Sequence, residues 1–275
     1  MDKTKIKIIG LGDGGARAVN KLIAAGVGLK KDVDIITIGK DENILLVSVA
    51  QNNIFLNRDS PTIYKNISTT LRDAKIVIIV AGLGGSAATA AIPRIISIAK
   101  NLDAPTVAFA NLPFILENVE RKKNAEYCLN CLREADTSFI LPVEKFFLFR
   151  LYKKEISIPE LFDVANEIFC AGIKIFLEMI LEKDLPVKIG KAAFGYGYGA
   201  TALEAIKNAV HFPTFEEDEI KRAKKIFVRL TSGNDKAAKN FIKGINPAAK
   251  LFWQVDDSRS EKVMASIIAM TEVSK

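Results

Sequence analysis

Two glycine-rich turns, Gly10-Leu11-Gly12-Asp13-Gly14-Gly15 and Gly82-Leu83-Gly84-Gly85-Ser86-Ala87-Ala88-Thr89, are the parts of this 275-residue chain best suited to holding an anion. Glycine permits positive φ and has no Cβ, so backbone N–H groups can approach a phosphate closely. A helix that begins at such a turn adds unpaired donors and the positive end of its dipole. One loop of this kind makes a phosphate site, and two that converge would hold a nucleotide from both sides. Taken alone, Gly10 to Gly15 fits a dinucleotide-binding loop equally well, with Asp41 then placed for the ribose. The remaining reactive side chains are few. Cys128 and Cys131 form a Cys-x-x-Cys on a helix-like segment, Cys170 is the third cysteine and His211 the single histidine. That set cannot close a four-ligand structural zinc site, so free thiols are expected.

The elements around the turns read as strand, glycine turn and helix, twice. Ile6-Lys7-Ile8-Ile9 precedes the first turn and Lys75 to Val80 the second, both short apolar runs of the kind found in buried parallel strands. Further strand-like runs lie at Asp34 to Ile38, Thr106 to Ala110 and Ser138 to Leu141, with helix-compatible segments between them. This alternation predicts a Rossmann-like doubly wound parallel sheet with ligands at the carboxyl ends of its strands. Pro159 to Glu182 then reads as one long helix, with Pro near its start and Glu160 and Asp163 in its first turns. Beyond it Gly195-Tyr196-Gly197-Tyr198-Gly199 reads as an interruption, residues 200–210 as helix, and 225–230, 250–255 and 262–270 as strands. The expected organisation is a nucleotide-binding domain over 1–157, a central helix over 158–182 and a smaller α+β domain over 183–275.

Composition fits an ordered chain with a sizeable core, since 49% of residues are hydrophobic and 26% charged. No apolar run reaches the length of a membrane span, and the start lacks the apolar stretch of a signal peptide, so a cytoplasmic location is expected. The formal charge of +7 comes from scattered Lys and Arg rather than a dense block, which reads as a solvated surface with no nucleic-acid role.

In their order along the chain, these motifs resemble the FtsZ/tubulin superfamily of nucleotide-dependent filament proteins, over about Lys5 to Met270. Gly10 to Asn20 resembles the first FtsZ phosphate loop and its helix, with Asp13, Ala16 and Arg17 where the family usually has two glycines and an asparagine. Gly84-Gly85-Ser86-Ala87-Ala88-Thr89-Ala90 stands where the family carries Gly-Gly-Gly-Thr-Gly-Thr-Gly. Pro113-Phe114 with Glu117 and Arg121 resembles the segment beside the ribose, and Ile140-Leu141-Pro142 the strand end after it, with Val143 for the usual asparagine. Phe162, Asn166 and Glu167 resemble the start of the central helix, where a ring stacks on guanine and an amide or carboxylate reads its edge. GDP or GTP is therefore the implied ligand, with Mg²⁺ between phosphate and Asp41 as an accompanying ion.

The resemblance breaks at Leu181-Glu182-Lys183-Asp184-Leu185-Pro186, where the family's synergy loop brings two acids to the next subunit's nucleotide. Glu182 and Asp184 are the catalytic candidates, and Lys183 between them is foreign to that pattern. Phosphoryl transfer rests on positioning and electrostatics, so weak or absent hydrolysis is expected. Asp13 adds a carboxylate inside a phosphate loop, which repels a polyphosphate unless a metal or Arg17 neutralises it. The implied biology is a cytoskeletal or membrane-remodelling protein that self-associates as a filament or dimer. No long tail is expected after the last strand, so membrane contact would need an anionic-lipid-binding surface or an adaptor protein. Two alternatives are a working GTPase that uses Glu182 or Asp184, and a nicotinamide-dependent oxidoreductase.

Overall fold

The computed structural model describes residues 5–27, 32–56, 61–143, 158–183, 190–212, 219–233, 236–256 and 262–270. The chain divides into two compact units, Met1–Cys170 and Ala171–Lys275, and the division falls inside the long helix Ile158–Lys183.

In the first unit, β1 (Ile6–Leu11), β2 (Val33–Gly39), β3 (Asn52–Phe55), β4 (Ile76–Gly82), β5 (Thr106–Asn111) and β6 (Thr137–Leu141) form parallel neighbours in the order β3-β2-β1-β4-β5-β6. All six residues of β1 and of β5 are buried, as two-sided helix cover requires. The connections carry α1 (Gly12–Ala24), α2 (Glu42–Leu46), α3 (Pro61–Leu71), α4 (Ser86–Asn101) and α5 (Val119–Leu132). In this strand order the direction of winding reverses between β1 and β4, which is where such sheets take their ligands. Both glycine turns leave the carboxyl ends of these two neighbouring strands, which run in register from Ile6 opposite Ile76 to Leu11 opposite Ala81.

Five strands were expected in this unit, and β3 is the sixth. Its sequence, Asn52-Asn53-Ile54-Phe55, buries Ile54 alone and sits at the sheet edge, so it carries no apolar run to announce it. Within α4, Pro93 lies inside the helix and leaves the Thr89 carbonyl without its helical N–H partner. The long helix, α6 (Ile158–Lys183), buries Ala165, Ile168 and Phe169, and the Phe169 ring meets Phe109 edge-on at 6.3 Å.

At the amino ends of β1 and β4 the charges are matched. The buried Lys7 ammonium lies 2.5 Å from Asp34 and 2.8 Å from Asp73, and Lys5 also pairs with Asp73. Hydrogen bonds from Lys5 and then Lys7 hold the Asp73 carboxyl down at about 2. Burial lowers the Lys7 pKa, but hydrogen bonds and charge from Asp34 and Asp73 outweigh it and leave the group above its ordinary value.

In the second unit, β7 (Gly190–Gly199), β8 (Lys225–Leu230), β9 (Lys250–Val255) and β10 (Val263–Met270) lie in the order β7-β10-β8-β9, with β10 antiparallel to both neighbours and β8 parallel to β9. Helices α7 (Ala202–Val210), α8 (Glu219–Arg222) and α9 (Lys236–Ile245) complete it. The glycine-tyrosine run expected to interrupt the chain is instead part of β7. Its glycines make room for α7, since a Cβ on Gly197 would sit 2.4 Å from Ala209 N and one on Gly199 2.4 Å from Ala205 N.

Candidate nucleotide site

The first glycine turn is also the first turn of α1, because β1 ends at Leu11 and the helix begins at Gly12. Close backbone packing fixes its glycines. A Cβ on Gly15 would lie 2.5 Å from Val80 O, and one on Gly10 would lie 2.5 Å from Gly15 O. In the second turn Gly84 has φ 91°, and its Cβ would meet Arg121 O at 2.6 Å.

The two turns converge. A Cβ built on Gly12 would touch the Ala87 methyl at 3.5 Å, and one on Gly14 would touch Gly82 N at 3.6 Å. Neither helix carries a side-chain cap, since Leu11 precedes α1 and Gly85 precedes α4 without capping bonds. The first-turn N–H groups of both helices therefore keep their donors for another partner. Two uncapped helix starts side by side at a sheet switch point are an arrangement that can receive an anion.

The expected site side chains fall into three groups. In the loops, Asp13 lies 3.0 Å from Arg17 Nε, one helical turn along, so the two charges answer each other. Ser86 is exposed on the first turn of α4, whereas Ala87 and Ala88 are buried. The Thr89 hydroxyl donates to Gly85 O at 2.9 Å and accepts from the Cys128 thiol at 3.7 Å. It is thus engaged by the Gly85 carbonyl and the Cys128 thiol. Cys128 is buried, and burial pushes its thiol up.

After β5, the half-buried Pro113 leads to the buried Phe114, whose N–H donates to Glu117 Oε1 at 2.8 Å, and the second Glu117 oxygen pairs with Arg121. Asn118, unmarked in the sequence, caps α5 by accepting from Arg121 N at 2.9 Å. Asp41 caps α2, accepting from Asn43 N at 2.9 Å.

On α6, Phe162 is half-buried, Asn166 buried and Glu167 exposed. Lys21 of α1 lies 3.7 Å from both Asp163 and Glu167, so it faces the carboxylate that sequence reasoning set aside for a base edge. No local signal could have found Lys21, because its partners lie more than a hundred residues away. Asp184 and the Glu182 side chain lie outside the described residues.

An exposed apolar rim flanks the turns. Leu46, Val47 and Val49 are 81%, 68% and 61% exposed, and Ile115, Leu116 and Val119 follow β5 at 58%, 80% and 67%. The first of these stretches is held in place, because the Asn20 side chain of α1 donates to Val47 O at 3.0 Å and accepts from Val49 N at 3.0 Å.

A model of the GTPase domain of the Tubulin/FtsZ family matches residues 5–148, which contain both turns. The chain belongs to this family. Among its curated FtsZ relatives, cell division protein FtsZ 1 of Pyrococcus abyssi is 29% identical over 98% of this chain and 82% of its own length. The Thermococcus kodakarensis FtsZ 1 matches equally, at 29% over 99% and 82%. Among solved structures, an empty FtsZ dimer of M. jannaschii superposes with TM-score 0.80 at 23% identity, covering 98% of this chain and 88% of that one. CetZ2 of Haloferax volcanii, a GTPγS-bound protofilament, superposes with TM-score 0.77 at 16% identity, covering 99% and 94%. The fold is that of FtsZ: a six-stranded parallel GTPase domain followed by a mixed four-stranded sheet. Among the described residues of this FtsZ-family chain, no cluster of three or more His, Cys, Asp or Glu side chains could hold a metal. Nor is any described helix long and apolar enough to cross a membrane.

Proposed function

We propose that this chain is a guanine-nucleotide-binding, self-associating protein of the FtsZ type with slow or absent hydrolysis. The observation that carries the reading is the convergence of two uncapped helix starts at Gly12 and Ser86, with Gly14 packed beside Gly82 so that the two turns lie next to each other. The backbone N–H groups of Gly12 to Gly15 and of Ser86 and Ala87 would hold the phosphates. Arg17 offsets the Asp13 charge in the loop. Glu117 and Arg121 form one preset pair for the ribose side, and Phe162 with Asn166 and Glu167 would bound the base. The Glu167 carboxylate accepts, as the N1–H and N2–H₂ donors of guanine require.

GTP, when bound, would supply a phosphoanhydride. Mg²⁺ fits less well, because Asp41 already caps α2 and Asp13 is already paired with Arg17. Support for self-association comes from the dimer and protofilament forms of the solved relatives and from the apolar rim beside the turns. Support for slow turnover comes from the sequence Glu182-Lys183-Asp184, which places a cation between the two acids.

Isothermal titration of nucleotide-free protein with GDP, GTP, ATP and NAD⁺, each with Mg²⁺, tests the site. Micromolar binding confined to the guanine nucleotides is expected. Tighter binding of NAD⁺ would replace the reading with an oxidoreductase. Phosphate release that rises with protein concentration and disappears in Glu182→Ala or Asp184→Ala would replace slow turnover with a working synergy loop.

A further inference from the structure

We infer that the outer face of α7 and α9 in the second unit is a docking surface for an anionic lipid membrane. This goes beyond the nucleotide reading and does not depend on it. In α9, Lys236, Lys239 and Lys243 are spaced three and four apart, so they share one side of the helix, spread over about 10 Å. The side of α9 that carries Ala238 and Ile242 is buried in the core. The helix contains no acidic residue at all.

Lys207 extends the stripe from the neighbouring helix α7, its ammonium 5.7 Å from the Phe241 ring of α9. Lys239 lies 5.2 Å from the ring of Trp253 on β9, and both rings are partly exposed. Glu204 is the one acid of α7, and its carboxylate is turned back to accept from Ala200 N at 2.8 Å. Among the described residues of α7 and α9 the result is four lysines, two of them over aromatic rings, and one carboxylate, which is committed to Ala200 N.

The chemistry of this face favours a lipid surface over other polyanions. Every cation on it is a lysine, a compact point charge suited to a diffuse layer of headgroups, whereas arginine is the residue for bidentate phosphate and base contacts. The two rings lie under their own lysines and are not free platforms for stacked bases. Tryptophan and phenylalanine beside lysine suit the boundary between water and acyl chains. Each lysine near an anionic leaflet strengthens partitioning about fivefold, and salt screens the effect within about 8 Å at physiological ionic strength.

The test is co-sedimentation of the full chain with phosphatidylcholine vesicles, with and without phosphatidylserine. The wild type is compared with the triple variant Lys236→Glu, Lys239→Glu, Lys243→Glu and with a charge-matched control carrying Glu at the exposed Lys65, Lys75 and Lys123 of the first unit. Pelleting with phosphatidylserine vesicles alone is expected, reduced on the order of 100-fold in the triple variant and little changed in the control. A Lys→Gln version of the triple, with thermal melting to show that it folds, should weaken binding in the same direction by less. Equal pelleting with both vesicle types would overturn the inference, as would a triple variant no weaker than the control. Capture of an oligonucleotide or of polyglutamate without vesicle binding would also overturn it. Nucleotide titration of the triple variant should match the wild type, so a failure here is separable from a failure at the glycine turns.

Discussion

At the amino ends of β1 and β4, Lys5, Lys7, Asp34 and Asp73 close on one another; at the carboxyl ends of the same strands, the backbone donors of α1 and α4 have no capping side chain. The first end is complete within the chain. A buried ammonium is tolerated there because two carboxylates match it. The second end places glycines where a side chain would collide, leaves helix starts uncapped, and exposes apolar residues beside them. An end left open in this way is suited to a ligand or a second subunit.

Gly15→Ala should break this contrast most severely, because its Cβ would enter the backbone of both β1 and β4. Loss of about 3 kcal/mol of stability or more is expected from such overpacking, together with loss of measurable guanine-nucleotide binding in titration. Gly84→Ala should act in the same direction through Arg121 O and its left-handed φ, costing about 1–3 kcal/mol.

Lys7→Met attacks the closed end instead. Because Asp34 and Asp73 stay partly solvated, a modest loss of about 1–2 kcal/mol in urea unfolding is expected, with nucleotide affinity unchanged. An equal effect on affinity would show that the two ends are not separable.

Acid titration sharpens the same point. The Asp73 carboxyl is held at about 2 in the folded chain and returns to about 4 on unfolding, so its contribution is full above about pH 4 and is lost as pH falls towards 2. Asp73→Asn should flatten the urea midpoint across that window and leave nucleotide binding at neutral pH untouched. The smallest effect is expected from Asp13→Ala. Removing a carboxylate that Arg17 already offsets should tighten GDP by about two- to fivefold, read by titration at low salt.

How much of this could be read in advance depended on how local the physics was. β1 and β4 were legible because burial on both faces demands continuous apolar runs, and the strands at 225–230 and 250–255 fell where the sequence placed them. The Asp13 to Arg17 spacing carried its own pairing. β3 was not legible, because one buried Ile54 makes no pattern. The glycine-tyrosine run misled because glycine serves tight helix packing as readily as turns. Thr89 stands in the second glycine turn, and that its hydroxyl bonds back to Gly85 and meets Cys128 was not readable from its position alone. Lys21 was invisible for a different reason, since its carboxylates arrive from a helix that folds back from far along the chain.

Pro93 divides α4 in a way that bears on timing rather than affinity. Without the bond from residue 93 to the Thr89 carbonyl, one hydrogen bond fewer ties the turns from Ser86 to Ile92 to the stretch from Arg94 to Asn101. A ligand that settles on Ser86 and Ala87 should be recorded as slowed hydrogen exchange in those first two turns, with a smaller change in the second half of the helix.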